Sequence, residues 1–170
     1  MSTRENKLEE IYSLIGRTHR ACQLFEYKLA EVLYEWRIHD CPKRPLKPPD
    51  AIREISRIQK ESFEKTFLGP NIKVLKDKGI LEEDVIERLN EFKSQRNCFI
   101  HDFHHDYVIE LMLIEGNFEK GTFNEEAVEA AYSKLKIVIN QIIANMDMAG
   151  DLCGKITDKI KKLGQDLGGA

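Results

Sequence analysis

Apolar residues return along this chain at helical spacing, three, four or seven positions apart. Between residues 6 and 37 the series Leu8, Ile11, Ile15, Cys22, Leu29, Leu33, Trp36 predicts one long amphipathic helix. A second helix is predicted from Asp50, whose carboxylate can accept from the first free amides, to about Phe67. Its roughly in-phase positions are Ile52, Ile55, Ile58, Ser62 and Phe63. Leu68-Gly69-Pro70-Asn71 ends it, and a short helix over 71–78 stops at Gly79, a natural left-handed terminator. Residues 82–103 predict the next helix. Glu82, Glu83 and Asp84 crowd its first turn, where the helix dipole favours acids. Residues 107–123 are ambiguous: Tyr107 to Glu115 reads as helix or as a short extended pair, and Gly116-Asn117 and Gly121 are turn signals. Thr122 with Glu125, or Asn124 alone, can cap a last long helix over 125–149, with Val128, Ala131, Leu135, Val138, Ile142 and Met146 inward. Gly150 and Gly154 are expected to loosen the chain before a short basic amphipathic piece at 155–163. The expected fold is all-α, an antiparallel bundle of four to six helices. It has one domain over 1–150 and a short, partly flexible amphipathic tail over 151–170.

Two charges fall where the pattern calls for apolar residues. On a helix turning about 100° per residue, Val85, Leu89, Phe92, Phe99 and Phe103 form one narrow stripe, and Arg96 lies in its middle. A guanidinium is almost never buried without a partner, so Arg96 either pairs with a buried acid or lines a polar cleft. Glu26 lies within the stripe of the first helix. The bland reading of Glu26 is a half-exposed residue at the stripe's edge. The sharper one makes it the structural partner that orients Arg96. His19 borders the same stripe and reads as a core-edge residue. Asn97 and His101, four apart, share the face beside Arg96.

Four of the five prolines, Pro42, Pro45, Pro48 and Pro49, mark residues 41–50 as a loop. Lys43, Arg44 and Lys47 make it basic. A solvated linker is the commoner case for such a cluster, and the functional reading is a lip that meets RNA phosphates. His39 and Cys41 form H-x-C with no second ligand pair at zinc spacing. His101, His104 and His105 with Asp102 and Asp106 invite a metal reading. A structural zinc site needs four ligands in a defined geometry, and no metal is assigned.

Composition narrows the partners. The chain has 170 residues, 42% of them hydrophobic, which suits one domain with an ordinary core. Its 26 basic residues against 29 acids leave a net charge of -3, which speaks against a nonspecific coat for nucleic acid but leaves room for a local RNA cleft. Four cysteines without C-x-x-C spacing point to free thiols in a reducing cytoplasm. Met1 to Glu10 is polar and mixed in charge, unlike a signal peptide. The richest apolar run, Ile137 to Ala144, is broken by Asn140 and Gln141, so no membrane span is expected.

The motif R-N-x-x-x-H at Arg96, Asn97 and His101, near the end of a helix in an all-helical chain of this length, resembles the HEPN family. The resemblance covers roughly residues 6–150. It implies a helical bundle, a homodimer and a metal-independent endoribonuclease of toxin or defence type, needing no cofactor and held in check by an antitoxin or regulatory protein. The residues present fit that chemistry. RNA carries its own nucleophile in the 2′-hydroxyl. Histidine is the natural acid or base near neutrality, and arginine offers a fixed fork of donors for phosphate oxygens. Asparagine can orient either group. One histidine cannot easily serve both ends of the reaction at once, so two copies with their motif helices facing each other are expected. The chain departs from one subfamily pattern, R-x-x-x-x-H-x-Y, whose tyrosine is modified by a nucleotidyltransferase: that position here is Phe103. The stretch from Leu68 to His101 is also loosely similar to mannitol-repressor-like helical proteins, which implies a non-catalytic regulatory or interaction module.

Overall fold

The computed structural model describes residues 3–40, 48–63, 68–116 and 124–168, with the backbone alone at 3, 48 and 164–168. Among them no strand occurs, and the fold is an all-α helical bundle. The elements are α1 (Thr3–Asp40), α2 (Pro48–Phe63), α3 (Leu68–Asp77), α4 (Glu83–Asn97), a π-helical turn (Cys98–Asp102), α5 (Phe103–Asp106), α6 (Val108–Glu115) and α7 (Glu125–Gly168). No helix among the described residues is long and apolar enough to cross a membrane.

The chain falls into two compact units, Met1–Cys22 with Ser94–Met146, and Gln23–Lys93 with Asp147–Ala170. In the first, α1 buries Ile11, Leu14, Ile15 and Thr18, α6 buries Leu111 and Ile114, and α7 buries Val128, Ala131, Leu135, Ile139 and Met146. Polar ties frame this core. Arg4 donates from Nε to the carbonyl of Ile114 at 2.6 Å and from Nη2 to that of Leu113 at 3.2 Å, satisfying the last turn of α6. Lys7 pairs with Glu129, Tyr12 donates to Glu115, and Glu10 takes both Tyr132 and Lys136.

In the second unit α1 buries Phe25, Leu29, Ala30, Val32 and Leu33, and α4 buries Ile86, Leu89 and Phe92. Phe25 meets Phe92 edge-on at 6.2 Å, and Phe63 lies 5.3 Å from Tyr27 and 5.8 Å from Tyr34. Arg37 donates to Ser62 Oγ at 3.0 Å, which explains a buried serine on α2.

Several expected boundaries move. Helix α2 opens at Pro48, so Pro48 and Pro49 start a helix and do not belong to the loop, and Asp50 lies inside the first turn. A first-turn proline gives up an amide hydrogen that has no intrahelical acceptor. The same reason admits Pro70 near the start of α3, which begins at Leu68, earlier than the expected 71. Only Ile58 and Ser62 of the α2 stripe are buried; Ile52 and Ile55 are 65% and 46% exposed. Gly79 does end α3. Its φ is +61°, its amide bonds to the Lys76 carbonyl and that of Ile80 to Leu75, the two bonds of a Schellman cap. The segment 108–115 is helical, closed by Gly116 at φ +86°. Asn124 caps α7, its Oδ1 accepting from the Glu126 amide at 2.9 Å. Thr122 lies outside the described residues.

The expected break at Gly150 and Gly154 does not occur: α7 runs on to Gly168. A helical glycine costs only about 1 kcal/mol against alanine. Ala149, Cys153, Ile156, Thr157 and Ile160, buried on one face of this stretch, outweigh that cost. Residues 151–163 are therefore a packed continuation of α7.

Candidate functional site

The motif segment begins in the last turn of α4 and belongs to the first unit from Ser94 onward. The predicted stripe is real at its core: Leu89, Phe92, Phe99 and Phe103 are buried, and Val85 is half-buried. Arg96 between them is half-buried, with its Nε enclosed, and its Nη1 donates to Asn97 Oδ1 at 3.1 Å. The asparagine thus holds one edge of the guanidinium, and its own side is exposed.

After Asn97 the regular helix stops. The Phe103 amide bonds to the Cys98 carbonyl five residues back, which widens the turn by one residue and makes Cys98–Asp102 π-helical. Uniform helical spacing does not foresee this. The turn is pinned from inside by its aromatic residues. Phe99 lies 5.3 Å from the His19 ring and 5.0 Å from Phe103, and Phe103 lies 4.9 Å from Tyr107. Lys134 stands over Tyr107 at 5.4 Å and pairs with Glu110. With Phe99 and Phe103 fixed inward, Cys98, His101, Asp102, His104, His105 and Asp106 are presented outward. His19, expected at the edge of the core, is exposed and keeps contact through Phe99.

The structure therefore brings Arg96, Asn97 and His101 onto one short segment, with the imidazole in solvent. Glu26 is half-buried on the part of α1 that belongs to the second unit. Lys43, Arg44 and Lys47, the proposed basic lip, lie outside the described residues, as does Cys41. Among the described residues, no group of three or more His, Cys, Asp or Glu is arranged to hold a metal ion, so His101, His104 and His105 do not converge as ligands. Cys98 sits inside the motif as a free thiol. Desolvation, and then the charges of Asp106 and Asp102, push its pKa up, which keeps it protonated and a poor nucleophile.

No family model, no curated protein and no solved structure matches this chain.

Sequence reasoning missed the support of the segment. Asn145 of α7 donates to Gln95 Oε1 at 2.8 Å, beside Arg96, and Gln141 donates to Asn145 Oδ1 at 3.3 Å. Nothing in the local pattern marks two amides 50 positions apart as partners. In the second unit an open groove of about 610 Å³ is lined by Leu24 and Lys28 of α1 and by Asp147, Gly150, Asp151, Gly154, Lys155 and Asp158 of α7; no motif residue lines it.

Proposed function

We propose that this protein is a HEPN-like, metal-independent endoribonuclease of toxin or defence type that acts in the cytoplasm as a homodimer. The observation that carries the reading is the π turn at Cys98–Asp102, which sets an exposed imidazole just beyond a half-buried arginine braced by its neighbouring asparagine. Such turns inside helices cost hydrogen-bond geometry and recur at functional sites. In this reading Arg96 holds the phosphate oxygens, and its charge opposes the negative charge that develops there. His101 takes the proton from the 2′-hydroxyl as that oxygen attacks the adjacent phosphorus. The 5′-oxygen leaves with a proton from the imidazole of the second copy. The products are a 2′,3′-cyclic phosphate and a 5′-hydroxyl end. An antitoxin or regulatory protein covering the outward face of the turn would silence it.

The test is cleavage of RNA by purified protein in EDTA. His101→Ala is expected to lower the rate by at least about 100-fold, with helicity and melting temperature unchanged because the imidazole is exposed. Cleavage at the original rate in that variant ends the proposal.

A non-catalytic regulatory or interaction module, of the kind the likeness to mannitol-repressor-like proteins implies, is favoured by one observation. The groove described above is lined by residues other than those of the motif. On this reading Arg96→Ala lowers the melting temperature, and no cyclic phosphate is produced by any variant.

A further inference from the structure

The C-terminal part of α7 carries a charge pattern that the motif chemistry does not use. Ala149, Cys153, Ile156, Thr157 and Ile160 form its buried face. The centre line of the opposite, exposed face is Asp151, Lys155, Asp158, Lys162, spaced four, three and four residues apart. This is the seam spacing of one helix lying along another. The signs alternate, minus, plus, minus, plus. Asp151 with Lys155, and Asp158 with Lys162, are each four apart and within reach along the helix. Yet no side-chain ion pair or side-chain hydrogen bond of these four occurs among the described residues. Met148 at 51% and Leu163 at 55% exposure flank the seam on one side, with the exposed Lys159 between them.

Read backwards, this order of charges is its own complement. An antiparallel copy with the same spacing matches every position, and a two-fold axis supplies that partner from the same sequence. We propose that a second copy of this chain docks antiparallel on this face of α7, with the two-fold axis passing between Ile156 and Thr157. Asp151 then faces Lys162 of the second copy and Lys155 faces Asp158 of the second copy, and the symmetry makes each pair twice. The same register brings Leu163 of each copy to the neighbourhood of Met148 of the other. A parallel copy in register would place like charges together, and one shifted by a seam position would leave an end charge unmatched. The contact is about 25 Å long at 1.5 Å per residue and one helix wide. That is small among specific interfaces, so a weak, concentration-dependent association is expected. The inference does not rest on the ribonuclease reading.

Sedimentation of the full chain and of two charge-reversed variants tests it. Asp151→Lys with Asp158→Lys makes the seam wholly basic; Lys155→Asp with Lys162→Asp makes it wholly acidic. Each variant alone is expected at half the mass of the wild type, and an equimolar mixture of the two is expected to regain the wild-type mass. Raising salt should weaken the wild-type association, because exposed ion pairs are screened. Helicity of each variant by circular dichroism shows that it is folded. Should one fail to fold, the salt dependence and the remaining variant still decide. A wild type that is monomeric at every micromolar concentration overturns the inference. So does a variant that keeps the wild-type mass, as a dimer built through the motif segment alone would, or a mixture that does not recover it. RNA cleavage by the variants is a separate readout: a wild type that is monomeric throughout counts against both this surface and the homodimeric nuclease, whereas variants of halved mass that still cleave RNA, or variants that keep the wild-type mass, separate the two.

Discussion

Asn145 donates its side-chain amide to Gln95 Oε1 at 2.8 Å, which ties α7 to the last turn of α4 one residue before Arg96. Both groups are partly buried, and Gln141 adds a second amide contact at 3.3 Å. The stretch that presents Arg96 is thereby held from a helix distant in sequence.

Asn145→Ala and Gln95→Ala are each expected to lower the unfolding free energy by about 0.5–1.5 kcal/mol, the net worth of a hydrogen bond of this kind. The double variant should lose clearly less than the two single losses combined, because either change alone already breaks the bond. Denaturant titration of the three variants measures this. Strict additivity would show that the two amides do not act as a unit.

The glycines divide by backbone conformation. At Gly116 the φ of +86° is one that side chains rarely adopt, and a Cβ there runs into the Arg4 guanidinium that caps α6. Gly116→Ala is expected to cost at least about 1–2 kcal/mol. Gly150 and Gly154 lie inside α7, where a Cβ meets nothing within 4 Å. Alanine at either position should stabilise by about 0.5–1 kcal/mol. Thermal melts of the three variants should move in opposite directions; a stabilised Gly116→Ala would contradict the assigned cap.

Part of the acid side of the stability profile should trace to two carboxylates of the first unit; Glu54 of α2, held down by its hydrogen bond from Arg57, is a further contributor. Hydrogen bonds from Lys136 and Tyr132 hold the pKa of Glu10 below its usual 4.5, and Lys134 does the same for Glu110. A carboxylate whose pKa is depressed on folding contributes stability above the unfolded value, and that contribution is lost as pH falls through the folded one. The melting temperature is therefore expected to fall as pH drops below about 4.5. The double variant Glu10→Gln with Glu110→Gln should show a shallower fall over the same range, having no such protons to bind. An unchanged slope would place the acid sensitivity elsewhere.

Much of the fold is legible in the sequence. The three-and-four spacing in the first and last helices marked Ile11, Leu29, Leu33, Leu135 and Met146 as buried, Gly79 announced its own left-handed end, and Asn124 its cap. The same period places Phe99 and Phe103 inward and Arg96 between them. These features are local: they depend on the period of the helix and on what one side chain does to its own backbone.

What the chain alone determined is which face of each helix is apolar and where helices can start and stop. Whether a face is covered depends on which other helix reaches it. Ile52 and Ile55 stay exposed despite being in phase, and α7 continues through two glycines because its far face is packed. The wide turn at Cys98–Asp102 belongs to the same class. Its geometry accompanies rings held by His19 and Tyr107, partners far away in sequence or past the turn, and it decides that His101 meets solvent. Periodicity carries information over a few turns of one helix, whereas burial is set by contacts between segments that only the folded chain brings together.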